Sequence, residues 1–172
     1  AKYHIAFKEY YKALENLNLS KDSNPYLKVK ESLKGIIFNN LGIRDSAYFY
    51  SKIAYDNLPN NSANYQQYLT ELVYKNEINT IKKVFRKSES KDQSIYWEIF
   101  LASTINIRDK NDTEIDSFAL EALKKFKGNK QIKTISSFVL YGQENILKSK
   151  TLYEEGIHLF ETTNFKAASE KF

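Results

Sequence analysis

The 172-residue sequence predicts an all-α chain. Turn formers are scarce: Gly and Pro number 5 and 2, where average usage gives about 12 and 9 in this length. A β-sandwich or barrel needs turn residues every 8–12 positions or so. Apolar residues recur three and four apart along nearly the whole chain, and no segment alternates as a half-buried strand does. Charged residues make up 27% and break every apolar run well short of the ~18 residues that span a bilayer. Aromatic residues at 15% separate the chain from disordered sequences.

The elements follow in order. The first segment sets Ala6, Tyr10, Ala13, Leu14 and Leu17 on one helical face. Ser20 to Pro25 is loop-like. A second helix carries Tyr26, Val29, Leu33, Ile36 and Ile37 and stops at Gly42, a natural residue just past a helix end. Asp45 is placed to cap the next helix, which carries Ala47, Tyr50, Ile53 and Ala54 and ends at Pro59. A fourth helix has Tyr65, Tyr68, Leu69, Leu72 and Val73; a fifth has Ile78, Ile81, Val84 and Phe85. Trp97, Phe100, Leu101 and Ile105 mark a sixth. After a turn at Asp109–Asp112, a seventh carries Ile115, Phe118, Ala119, Ala122, Leu123 and Phe126 and is closed by Gly128. Asn129 can cap a helix bearing Ile132, Ile135, Phe138 and Val139. The remainder, from about Gln143, is helical up to a break at Thr162–Asn164.

The composition excludes several chemistries. There is no Cys, so disulfide frameworks, Cys-ligated zinc and thiol nucleophiles are absent. Two His, His4 and His158, cannot build a common zinc site without Cys. No Gly-rich phosphate loop is present, and no nucleophile–base–orienter set can be assembled from spacing. The chain is expected to be non-enzymatic, with no cofactor, metal or small-molecule substrate. A Cys-free, basic chain without an initiator Met fits an extracytoplasmic setting in a bacterial cell envelope.

The net charge is +5 and the pI about 9.1. The excess gathers at Lys82, Lys83, Arg86, Lys87 and Lys91, and again at Lys124, Lys125, Lys127, Lys130 and Lys133. Such clusters suit a polyanion: nucleic acid, anionic lipid or glycan. Solvated helix faces and helix C-termini account for the same pattern. With only three Arg in the chain, bidentate phosphate grips are few.

The segment LYEEGIHLFETTNFKAASEKF sets small Gly156 and Ala168 among larger Leu152, Leu159, Phe165 and Phe172. A helix pair of this pattern crosses closely only where the side chains are small. GIIFNNLGIRDSAYFYSKIAYDNLP repeats it with Gly35, Phe38, Gly42, Ala47, Ala54 and Pro59. Tyr65, Tyr68, Leu69, Leu72, Ile78, Ile81 and Phe85 continue it, and Ala6, Tyr10 and Ala13 fit a lone second helix. The pattern, with a period of about 34 residues, resembles the tetratricopeptide repeat. Departures stand at Glu31, Lys34, Arg44 and Ser51, where that family prefers apolar residues, and the register is lost over residues 92–149.

The resemblance implies a single domain over residues 1–172, a solenoid of antiparallel helix pairs with about 8–10 helices and an irregular middle. It also implies a fragment of a longer protein, with the N-terminus removed and the last repeat incomplete. An exposed apolar end there would favour self-association. The implied role is a protein–protein interaction scaffold whose concave groove holds a partner segment or folded partner. Its implied lining is Val29, Ser32, Ile36, Asn39 and Asn40; Ala63, Gln66, Thr70, Val73 and Tyr74; and Lys150, Tyr153, Ile157, Phe160 and Glu161. The Asn by which chaperone-binding members clamp a terminal carboxylate is replaced by Ile36, Thr70 or Ile157, so that activity is not implied.

Overall fold

The computed structural model describes residues 1–6, 8–20, 29–105, 107–108 and 112–161. Among these residues the secondary structure is helical, with no strand. The helices are α1 (Lys2–Ala6), α2 (Tyr10–Leu19), α3 (Lys30–Asn40), α4 (Arg44–Asn57), α5 (Ser62–Tyr74), α6 (Ile78–Lys87), α7 (Ser94–Thr104), α8 (Thr113–Lys125), α9 (Lys130–Tyr141) and α10 (Gln143–Glu161). No helix among the described residues is long and apolar enough to cross a membrane. The loop around Pro25 and the C-terminal Phe165, Ala168 and Phe172 lie outside the described residues.

Local chemistry sets most boundaries. The Gly42 amide donates to the Asn39 carbonyl at 3.0 Å and the Ile43 amide to the Phe38 carbonyl at 2.9 Å, with Gly42 at φ +72°. This paired closure satisfies two orphan carbonyls of α3 and needs the left-handed conformation that Gly adopts without penalty. Asn76 closes α5 in the same way at φ +56°, its amide reaching Val73 and that of Glu77 reaching Leu72. Asn129 caps α9 by accepting from the Gln131 and Ile132 amides, as its position predicts. Asn61 and Asp112 cap α5 and α8.

Three expectations are corrected. Residues 1–19 are not one helix: Lys8 at φ +60° turns the chain, and the Lys8 and Glu9 amides close α1 on the Ile5 and His4 carbonyls. Asp45 is not the cap of α4. The closure of α3 draws in Ile43, so α4 begins at Arg44 and Asp45 lies in its first turn, paired with Lys75 at 3.1 Å. α8 ends at Lys125, before Gly128, which lies outside the left-handed region.

The chain divides into two compact units, residues 1–108 and 109–172. In the first, α3 packs on α4, α4 on α5, α5 on α6 and α7, and α6 on α7; α3 also touches α5. Ala13, Leu17 and Ile37 seal α2 against α3. The densest part lies under α7, which buries Tyr96, Trp97, Ile99, Phe100 and Leu101. The Trp97 ring meets Phe85 edge-on at 4.8 Å, Phe85 stacks on Phe100 at 4.0 Å, and the Trp97 indole donates to the Lys91 carbonyl at 2.8 Å. In the second unit, α8 and α10 pack on α9, with Ile115, Ala119, Ala122, Ile132 and Val139 buried.

A chain of tyrosine rings runs through the first unit: Tyr48 to Tyr68, Tyr68 to Tyr55, Tyr55 to Tyr65 and Tyr65 to Tyr96, with centroids 5.0–6.1 Å apart. Burial drives the Tyr65 and Tyr68 phenols well above the usual value of 10.0. A raised value in the fold means that their contribution is whole below pH ~10 and is lost as pH rises further, by about 1.4 kcal/mol per pH unit for each buried tyrosine. Unfolding above pH ~10 is therefore expected, with far-UV ellipticity and tyrosinate absorbance changing together. The Tyr65 hydroxyl is buried without a hydrogen-bond partner. Tyr65→Phe should hold or gain up to ~1 kcal/mol at neutral pH and move the alkaline transition upward. Tyrosine ionisation completed while the ellipticity stays constant would contradict this.

Candidate functional site

The first unit carries a cleft of about 290 Å³ between α3 and α5. Its lining is Ser32, Ile36, Asn39 and Asn40 from α3 with Ala63, Gln66, Gln67 and Thr70 from α5. All but Gln67 stand at positions the sequence offers for the groove. Four of the selected residues, Asn39, Asn40, Gln66 and Thr70, are thus brought together. Helical period explains the juxtaposition: residues three and four apart share one face of each helix, and α3 and α5 touch along those faces.

Hydrogen bonds order the lining. Asn39 donates through Nδ2 to Oε1 of Glu71 on α5. Asn40 donates through Nδ2 to the Ile36 carbonyl at 2.8 Å and accepts from the Tyr10 hydroxyl at 3.1 Å. Gln67 ties α5 to two other helices: its Nε2 donates to the Ser32 carbonyl of α3 at 3.2 Å and to Ser51 Oγ of α4 at 3.0 Å, and its Oε1 accepts from Ser32 Oγ at 3.2 Å. Thr70 donates to the Gln66 carbonyl at 2.9 Å. Gln66 is exposed at the mouth.

Gln67 and Glu71 are missing from the sequence reading. Glu71 offers one signal, an acid set one residue before Leu72 and three after Tyr68 on the apolar stripe. Gln67 offers none. Three of the four polar departures from the repeat pattern find local partners. Buried Ser51 meets Gln67, Lys34 lies over the Tyr50 ring at 5.0 Å, and Arg44 covers the Tyr74 ring at 3.7 Å.

The other selected residues are placed apart from this cleft. Val73 is half-buried and Tyr74 exposed under Arg44 at the end of α5; neither lines it. In the second unit, Lys150 and Tyr153 of α10 join Ser137 and Tyr141 of α9, with Asn145 and Ser149, around a cleft of about 620 Å³. Both tyrosines are exposed, as is Ile157 one turn beyond. The Phe160 side chain lies outside the described set.

Of the basic residues, Lys83, Arg86 and Lys87 are exposed on α6 opposite buried Ile81 and Phe85, and Lys82 is half-buried. Lys91 donates to the Arg86 carbonyl at 2.8 Å and so caps the end of α6. Lys124 and Lys125 occupy the last turn of α8, Lys127 the following turn and Lys130 the start of α9, all exposed. The two clusters belong to different compact units. Among the described residues no group of His, Asp or Glu converges to hold a metal ion.

No protein-family model, curated protein or solved structure matches this chain.

Proposed function

We propose that this chain is a non-catalytic docking module, a TPR-like helical repeat that holds a segment of another protein in the cleft between α3 and α5. One observation carries the reading: seven of the residues that the repeat resemblance assigns to a concave groove, Ser32, Ile36, Asn39, Asn40, Ala63, Gln66 and Thr70, line one cleft. The order of packing supports it. The first helix of one pair touches the first helix of the next, α3 on α5 and α5 on α7, as stacked repeats require. Amides and hydroxyls around Ile36 and Ala63 offer polar partners to a docked segment. The wider setting we propose is a bacterial cell-envelope complex.

The test fills the cleft. Gln66 is exposed, so Gln66→Trp should leave the fold intact while its indole occupies the mouth. Capture of a protein partner from native extract should fall by about tenfold or more, and should survive high salt in the unaltered chain. Undiminished capture by Gln66→Trp would remove the cleft from the reading.

The basic face of α6 favours a second reading, docking of a polyanion. It predicts affinity that falls steeply with salt. Lys83→Glu with Lys87→Glu would then abolish binding while Gln66→Trp leaves it unchanged.

A further inference from the structure

The cleft between α3 and α5 has a polarity that its residue types do not reveal. Five of its six amides and hydroxyls spend at least one proton inside the protein, Gln66 at the mouth being the exception. Asn39 donates to Glu71, Asn40 to the Ile36 carbonyl, and Gln67 to Ser32 and Ser51. The Ser32 and Thr70 hydroxyls donate to Gln67 Oε1 and to the Gln66 carbonyl. An amide carries two protons and its oxygen two lone pairs, and a hydroxyl one proton and two lone pairs. What remains toward the cleft is therefore richer in lone pairs than in protons.

Charge points the same way. Among the described residues no Lys, Arg or His lines the cleft. Glu71, 1% exposed, stands behind Asn39. Lys75, one turn further along the chain, pairs instead with Asp45 at 3.1 Å and lies over the Tyr48 ring at 4.9 Å. Among the described residues no cation meets the Glu71 carboxylate, and the Asn39 amide is the polar group that faces it. We propose that the cleft takes the guanidinium of an arginine on the docked segment and rejects carboxylates. A planar group with five donors and no acceptor matches a rim of lone pairs before a buried negative charge. The inference rests on the docking reading above and adds the sign of the charge that the cleft selects.

The experiment is an amide-resolved NMR titration of the whole chain with four capped peptides: acetyl-Ala-Arg-Ala-amide and its lysine, citrulline and glutamate counterparts. Citrulline keeps the shape of arginine without the charge. The arginine peptide should shift the resonances of Asn39, Gln66 and Thr70, the lysine peptide more weakly. The citrulline and glutamate peptides should bind about tenfold or more weakly than arginine. Glu71→Gln keeps an acceptor for Asn39 and should bring arginine down to the citrulline level. Gln66→Lys, an exposed change that leaves the fold intact, should abolish arginine binding by placing a cation at the mouth. Because the chain carries a net charge of +5, general attraction of cationic peptides does not mimic this result. Citrulline or glutamate binding at these residues as well as arginine would overturn the inference and leave the docking reading standing. Failure of every peptide to shift them would overturn both. Arginine binding that Glu71→Gln leaves unchanged would also overturn it.

Discussion

Trp97→Ala is expected to destabilise the first unit by about 3–5 kcal/mol. The ring is buried, packed edge-on against Phe85, and its indole N–H is bonded to the Lys91 carbonyl. Truncation leaves a void between α6 and α7, and both helices rest on α5. Domains of ordinary stability have roughly 5–15 kcal/mol in all, so this one change consumes much of the margin. Trp97 is the only Trp, so the variant is followed by far-UV ellipticity in urea rather than by fluorescence. Its midpoint should fall by at least ~1 M. Trp97→Phe keeps most of the ring but drops the indole donor to the Lys91 carbonyl, and should cost about 1–3 kcal/mol. A Trp97→Ala midpoint equal to that of the unaltered chain would show that α7 does not organise this core.

Gly35→Ala decides between two opposed effects. In an isolated helix the change favours folding by about 1 kcal/mol, because Ala loses less backbone freedom than Gly. In the fold a Cβ at residue 35 would stand 2.2 Å from Gln67 Nε2, 2.8 Å from Ser51 Oγ and 3.2 Å from the Ser51 backbone nitrogen. The two side chains can swing aside only by breaking the bonds that tie α3, α4 and α5. The Ser51 backbone must also retreat by a few tenths of an ångström. A half-buried amide left without partners costs about 1–3 kcal/mol, so the packing effect wins and net destabilisation of ~1–2 kcal/mol is expected. The cycle with Gln67→Ala isolates the cause. Once Gln67 is truncated, Gly35→Ala should cost much less than in the unaltered chain. If it stabilises the unaltered chain, α3 and α4 are not closely crossed at this point.

Both predictions show where sequence reading succeeds and where it stops. Helix type, most core faces and several ends were legible. Tyr65, Tyr68, Leu69 and Leu72 recur with the helical period and are buried; Gly42 and Asn129 end and start helices as their chemistry requires. These signals act over four residues or fewer and leave a mark in the local pattern. The small residue at Gly35 was legible as a close crossing. That its neighbours would be Ser51 and Gln67 was not, because Gln67 lies 32 positions away and looks like any exposed amide.

The site divides along the same line. Asn39, Asn40, Gln66 and Thr70 could be chosen from spacing, since a helical face is a local property. Their convergence and the buried carboxylate of Glu71 behind Asn39 depend on pairings between α3 and α5. The break at Lys8 and the displacement of Asp45 from its cap likewise depend on how neighbouring segments close. Periodicity and capping are short-range physics, so the helical state of this chain and the residues that share each face can be read from the residue order. Which faces meet and which polar groups are consumed in meeting follows from packing, because hydrogen bonds between helices 30 residues apart leave no local pattern.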